Sequence, residues 1–206
     1  MMSRAVAAVL LAAIGHCAGG RALAADARYP DWPCNQIKVP ELSVAAVWAG
    51  PPLDDVGDRW EADADVRDLV ARLAERRTPL EEAETAIADF ITGTSAEKLD
   101  KARLLFAGLF DTLNRQRSEV MSAIERFTRR QKELAAKVRG EAVGLRELRD
   151  APNTDQTRVD EAANEIAWNT RIFEDRRKTI GYVCEVPVII ERRLFALSQA
   201  VAQRLD

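Results

Sequence analysis

From Leu99 onward the apolar positions advance in alternating steps of four and three, at 99, 103, 106, 110, 113, 117, 120, 124, 127, 131, 134, 138, 141, 145 and 148. Eleven of these fifteen are apolar, the exceptions being Arg103, Arg117, Gln131 and Glu141, so one face of a single helix is marked out over seven heptads. Thr94 followed by Glu97 forms a capping box at its start, each side chain satisfying a backbone N–H that the first turn leaves unpaired. No proline interrupts the stretch before Pro152, so the pattern predicts a helix from Thr94 to about Arg149. At 1.5 Å per residue it is roughly 80 Å long, too long for the inside of a domain of this size. It must project.

The apolar stripe narrows along the way. In the first half Ala102, Leu104, Leu105, Ala107, Leu109, Met121 and Ala123 flank the seam, enough for several helices to pack around it. Beyond Phe127 the flanks are Arg129, Arg130, Lys132, Glu133, Lys137 and Arg139, which leaves a seam for one partner helix. That partner follows the break Asp150-Ala151-Pro152-Asn153-Thr154-Asp155, starting near Asp155 and running to Leu205. Its apolar seam is Val159, Ala162, Ile166, Phe173, Ile180, Ile190, Leu194, Leu197, Val201 and Leu205, and Pro187 within it predicts a bend or break. An antiparallel fold at Pro152 sets residue i opposite about 304 − i. Phe127 then lies near Arg177, and Val120 near Cys184.

Between the arm and the long helix, the pattern predicts a charged amphipathic helix around Gly57 to Arg77, with Val66, Leu69, Val70 and Leu73 on one face. A second one begins at Thr78-Pro79-Leu80-Glu81, threonine capping and proline at the first position, and stops at Gly93. Residues 25–51 read as an extended arm, held open by Pro30, Pro33 and Pro40, with one short helix between Glu41 and Trp48. The arm's Trp32, Val44, Val47 and Trp48 have no core of their own and are expected to dock on the helices. The expected fold class is therefore all-α. Residues 52–206 form a small bundle carrying a long antiparallel coiled-coil hairpin, with a stalk at about 124–180 and a tip at 150–155.

Residues 1–24 have the form of a secretory signal: Arg4, an apolar run from Ala5 to Ile14, and the cleavage sequence Ala22-Leu23-Ala24. The run is too short to span a membrane, so no transmembrane span is expected after cleavage. Lipidation at Cys17 would need a lipobox, which Ile14-Gly15-His16 fits poorly. Cleavage removes the single histidine, one of three cysteines and two of the 30 basic residues, but none of the 33 acids. The remaining 28 bases against 33 acids give a formal charge of −5, unsuited to nucleic acid. Export points to the periplasm or the medium.

Without histidine, a serine–histidine triad and histidine-ligated metals are excluded, and two cysteines cannot make a four-cysteine zinc site. The acid pairs Asp54 with Asp55, Asp63 with Asp65, and Glu81 with Glu82 lack a calcium-loop spacing, so no metal and no cofactor is expected. Cys34 and Cys184, far apart and exported, are expected to pair as a structural disulfide that pins the arm to the neck of the hairpin. The redox alternative lacks a Cys-x-x-Cys. One charge pattern stands out. Arg126, Arg129, Arg130 and Lys132 lie opposite Arg171, Arg176, Arg177 and Lys178, a belt of net charge +4 once two acids on each side are counted. It reads as an anion- or partner-docking belt, against the plainer reading of a solvated surface with pairs such as Glu125 and Arg129.

Asp31-Trp32-Pro33-Cys34, Val39-Pro40-Glu41-Leu42-Ser43 and Tyr182-Val183-Cys184-Glu185-Val186-Pro187 resemble segments of a group of exported proteobacterial helical proteins with no assigned role. The resemblance implies export and a helical build, and it carries over no functional residue. The expectation is a non-catalytic periplasmic interaction or scaffold protein that docks an unknown protein partner through its hairpin. A homo-oligomer through the coiled coil is left open. The alternatives are a holdase chaperone, for which the acidic charge is unusual, and an enzyme built on carboxylates or lysines.

Overall fold

The computed structural model describes residues 27–205, so residues 1–24, expected to be a secretory signal, lie with His16 and Cys17 outside the described residues. The protein is all-α, a small helical base from which a long antiparallel hairpin protrudes, with an extended N-terminal arm. In chain order the helices are α1 (Val44–Val47), α2 (Arg59–Ala62), α3 (Ala64–Ala74), α4 (Leu80–Phe90), α5 (Ser95–Asp150) and α6 (Gln156–Ala202).

Helix α5 starts at the expected capping box: Glu97 N–H donates to Thr94 Oγ1, and Thr94 N–H donates to Glu97 Oε2 at 2.8 Å. At the tip Asn153 takes a left-handed conformation (φ 62°), and Thr154 Oγ1 donates to the Leu148 and Ala151 carbonyls that the end of α5 leaves unpaired. Asp155 then caps α6 by accepting from Thr157 N–H at 2.9 Å.

Three local expectations are corrected. The segment from Gly57 to Arg77 is two helices, because Asp63 turns extended and accepts from Asp65 and Val66 N–H as the cap of α3. Thr78 does not cap α4; its hydroxyl donates 3.0 Å to the Arg72 carbonyl and so closes the end of α3 instead. Pro187 does not break α6, which runs continuously through it. The proline is buried at the level where Gln36 Nε2 donates to the Cys184 carbonyl.

The hydrophobic core lies wholly in the base. Leu105, Phe106, Leu109 and Leu113 of α5 pack with Leu194, Leu197 and Val201 of α6, with Val66, Val70 and Leu73 of α3, and with Ile87 of α4. Trp48 stacks on Phe106 with ring centroids 4.1 Å apart, so the arm closes one side of this core. Trp60 and Val70 approach Gly108 so closely that an added Cβ would meet them at 2.8 and 2.7 Å. Beyond Ile124 no residue of α5 is buried, and between Gln156 and Val183 only Val159 and Asn169 of α6 are. Lys137 Nζ lies 3.1 Å from Glu165, and Gln131 Nε2 donates to the Phe173 carbonyl, contacts close to the register expected from the fold at Pro152.

Candidate functional site

Where base becomes stalk, the arm lies along α5 and α6 and makes a run of polar attachments. Asp31 takes Arg129 at 3.2 Å and Lys132 at 2.8 Å, and Lys132 also donates to the Pro30 carbonyl. Cys34 is joined to Cys184, with Cα atoms 5.5 Å apart across a separation of 150 residues. Such a bond fits an oxidising compartment. Lys38 pairs with Glu125 at 2.6 Å and sits 4.5 Å from the centre of the Tyr29 ring.

About two turns further toward the base, Arg117 is 2 % exposed. Its guanidinium meets Glu191 of α6 at 2.5 Å and donates to the Val39 and Pro40 carbonyls of the arm at 2.6 and 3.3 Å. A charge this buried is tolerable only because the fork of the guanidinium is filled on several sides at once. Arg193 plays a similar part lower down, donating to the Leu73 and Thr78 carbonyls; burial lowers its pKa from the ordinary arginine value.

The eight basic residues of the belt separate into groups. Arg129 and Lys132 hold the arm, and Lys178 lies 3.5 Å from Asp175 in its own helix. Glu125, expected to pair with Arg129, is taken by Lys38. Arg126, Arg130, Arg171 and Arg176 are exposed and have no ion-pair partner among the described residues. Asp31 is held below its usual carboxylate range, first by its hydrogen bond with Lys132 and then by Arg129. Arg177 stands apart. It lines a cleft of about 260 Å³ with Phe127, Thr128, Gln131, Phe173 and Ile180, and this places Phe127 beside Arg177 as the register requires.

Several of these partners were not foreseen. Arg117 was visible only as a charged exception on an otherwise apolar seam in its wide half, which is where a buried ion pair should have been sought. Asn169 likewise occupies a seam position of α6; it donates to both Glu141 oxygens at 3.1 Å, pairing two polar residues within the stalk. Asp31 and Lys38 carried no signal beyond their charge.

No protein-family model matches the chain, and no curated protein or solved structure matches it at a significant level. Among the described residues no group of three or more histidine, cysteine or acidic side chains is placed to hold a metal ion, and no helix is long and apolar enough to cross a membrane.

Proposed function

We propose that this is a non-catalytic interaction protein of the periplasm whose helical hairpin docks an anionic protein partner. The observation that carries the reading is the separation between core and stalk. Every member of the core cluster lies in the arm, in α2 to α4 and their connections, before Val120 in α5 or after Val183 in α6. The hairpin beyond Ile124 thus adds exposed length without serving the base. The arm braces its root through a disulfide, a buried arginine and the Asp31 pairs. A stiff projection with unengaged arginines near its root suits recognition better than catalysis.

The test replaces Arg126, Arg130, Arg171 and Arg176 by glutamine, which keeps long helix-favouring side chains and removes only charge. Arg129 and Lys132 stay, because they hold the arm. With a partner identified by crosslinking at the stalk, affinity should fall in the quadruple variant, most at low salt where screening is weak. Helix content and melting temperature should stay as in the wild type. A partner whose affinity ignores both the four charges and the salt concentration would end the docking proposal. Wild-type and variant protein suppressing aggregation of an unfolded client equally well would instead favour the holdase reading, which rests on apolar surface.

A further inference from the structure

The cleft beside Arg177 has walls of Pro33, Phe127, Ala135, Phe173 and Ile180, so it is apolar inside although it opens on a charged neck. On the other side of Pro33 and Ile180 lies a second, wider cavity of about 650 Å³, which Arg177 also lines. Arg177, Lys178 and Arg192 outnumber Glu185 there, and neither Arg177 nor Arg192 has an ion-pair partner among the described residues. Near the first cleft Arg129 and Lys132 outweigh Asp31 by one charge. An apolar slot and a cationic bowl therefore share a guanidinium. This is the arrangement for a molecule with an apolar body and a negative end, since neither half alone would place the other.

We infer that the junction of arm and hairpin binds a short single-chain anionic amphiphile, its chain between Phe127 and Phe173 and its head group on Arg177. The slot lies just under the range of roughly 300–1,000 Å³ typical of drug-sized ligands, so it takes a chain of modest length or a single ring. The site shares Lys132, Arg177 and Lys178 with the belt, but Arg126, Arg130, Arg171 and Arg176, the four arginines of the docking test, line neither cavity. A carboxylate or a phosphate head group fits the same bowl.

Calorimetric titration of the disulfide-bonded protein with octanoate, octyl phosphate, butanoate and octyltrimethylammonium tests it. Octanoate should bind one to one and roughly two-hundredfold more tightly than butanoate, the effect of about four further buried methylenes. Octyl phosphate should bind too, and the ranking of the two anions names the preferred head group. Octyltrimethylammonium should not bind. Arg177→Gln, on an exposed side chain, should weaken octanoate about tenfold. Ala135→Leu should fill the slot and abolish octanoate binding, with circular dichroism checking that the helices persist. If that variant fails to fold, the chain-length series and Arg177→Gln decide alone. The inference is overturned if the cationic amphiphile binds as tightly as octanoate, if Arg177→Gln binds normally, or if folded Ala135→Leu keeps wild-type affinity.

Discussion

The base and the stalk are built from the same two helices and the same heptad step, yet they are held together differently. In the base, α5 buries residues such as Leu105, Leu109 and Leu113 completely, because α2, α3, α6 and the arm surround it. In the stalk, Leu134, Val138, Leu145 and Leu148 keep the seam pattern but are only half-buried, because one helix covers them. The seam also admits Gln131, Glu141 and Asn169 there. A heptad therefore fixes which side of a helix is covered, and the number of neighbours fixes how much that cover contributes. Apolar burial at about 25 cal/mol per Å² puts most of the stability in the base.

The sharpest test of this division is the bond at its boundary. Replacing Cys34 and Cys184 by serine frees a loop of about 150 residues, for which the chain-entropy treatment gives at most ~5 kcal/mol. Urea denaturation of the variant should show a loss up to that size. Hydrogen exchange should show residues 29–38 released while amides around Leu109 stay protected. Equal loosening of arm and core would mean that the base depends on the arm as a whole. Next in size is a paired truncation. Leu109→Ala should cost about 2–5 kcal/mol, as for a fully buried leucine, whereas Leu145→Ala should cost about 1 kcal/mol because water already reaches that site. Similar losses from the two would dissolve the distinction between base and stalk.

The long-range plan was legible because it depends on periodicity. The capping box at Thr94, the turn at Pro152 and the narrowing after Phe127 are each carried by a few adjacent residues, and the structure follows them. Local helix ends were less legible. Asp63 and Thr78 both have the chemistry of a cap, and only packing decided that the first caps α3 while the second closes it. Pro187 predicts a bend or break from propensity alone; the break does not occur, and α6 runs through it with Cys184, Pro187 and Ile190 buried. The attachments of the arm were hidden for a different reason. An extended segment has no period to read, so nothing local linked Asp31 to Arg129 or Val39 to Arg117.

Arg117 gives a smaller effect than the core leucines but a more specific one. Removing one member of a buried pair costs about 3–5 kcal/mol, but Glu191 keeps 36 % of its side chain exposed and can rehydrate. Arg117→Met should therefore lose about 2 kcal/mol, read from urea midpoints at constant slope. Exchange should rise at residues 37–41, whose Val39 and Pro40 carbonyls lose their donor. A variant as stable as the wild type would show that the guanidinium only fills space at the root of the hairpin.

The smallest effect belongs to the stalk and is a matter of pH. Glu141 is held below the usual glutamate range, first by the hydrogen bond from Asn169 and then by Lys137, while burial opposes both. A carboxyl depressed in the folded state adds stability that is present above its unfolded value, near 4.5, and is lost as pH falls through the lower folded value. Protonation also weakens the hold on Lys137, whose own pKa is raised first by Glu165 and then by Glu141. Local opening of the hairpin should therefore become easier as pH falls below the unfolded value near 4.5, seen as falling exchange protection at residues 134–148. The base carries depressed acids of its own, Asp55 beside Arg103 and Glu97 in the capping box, so global melting cannot isolate the stalk. Glu141→Gln isolates it, since the amide keeps the size of the side chain but has no proton to gain in this range. Protection in the stalk should then be flat with pH in the variant and fall in the wild type. Parallel falls in both would place the acid sensitivity elsewhere and leave the Glu141–Asn169 pair with a packing role alone.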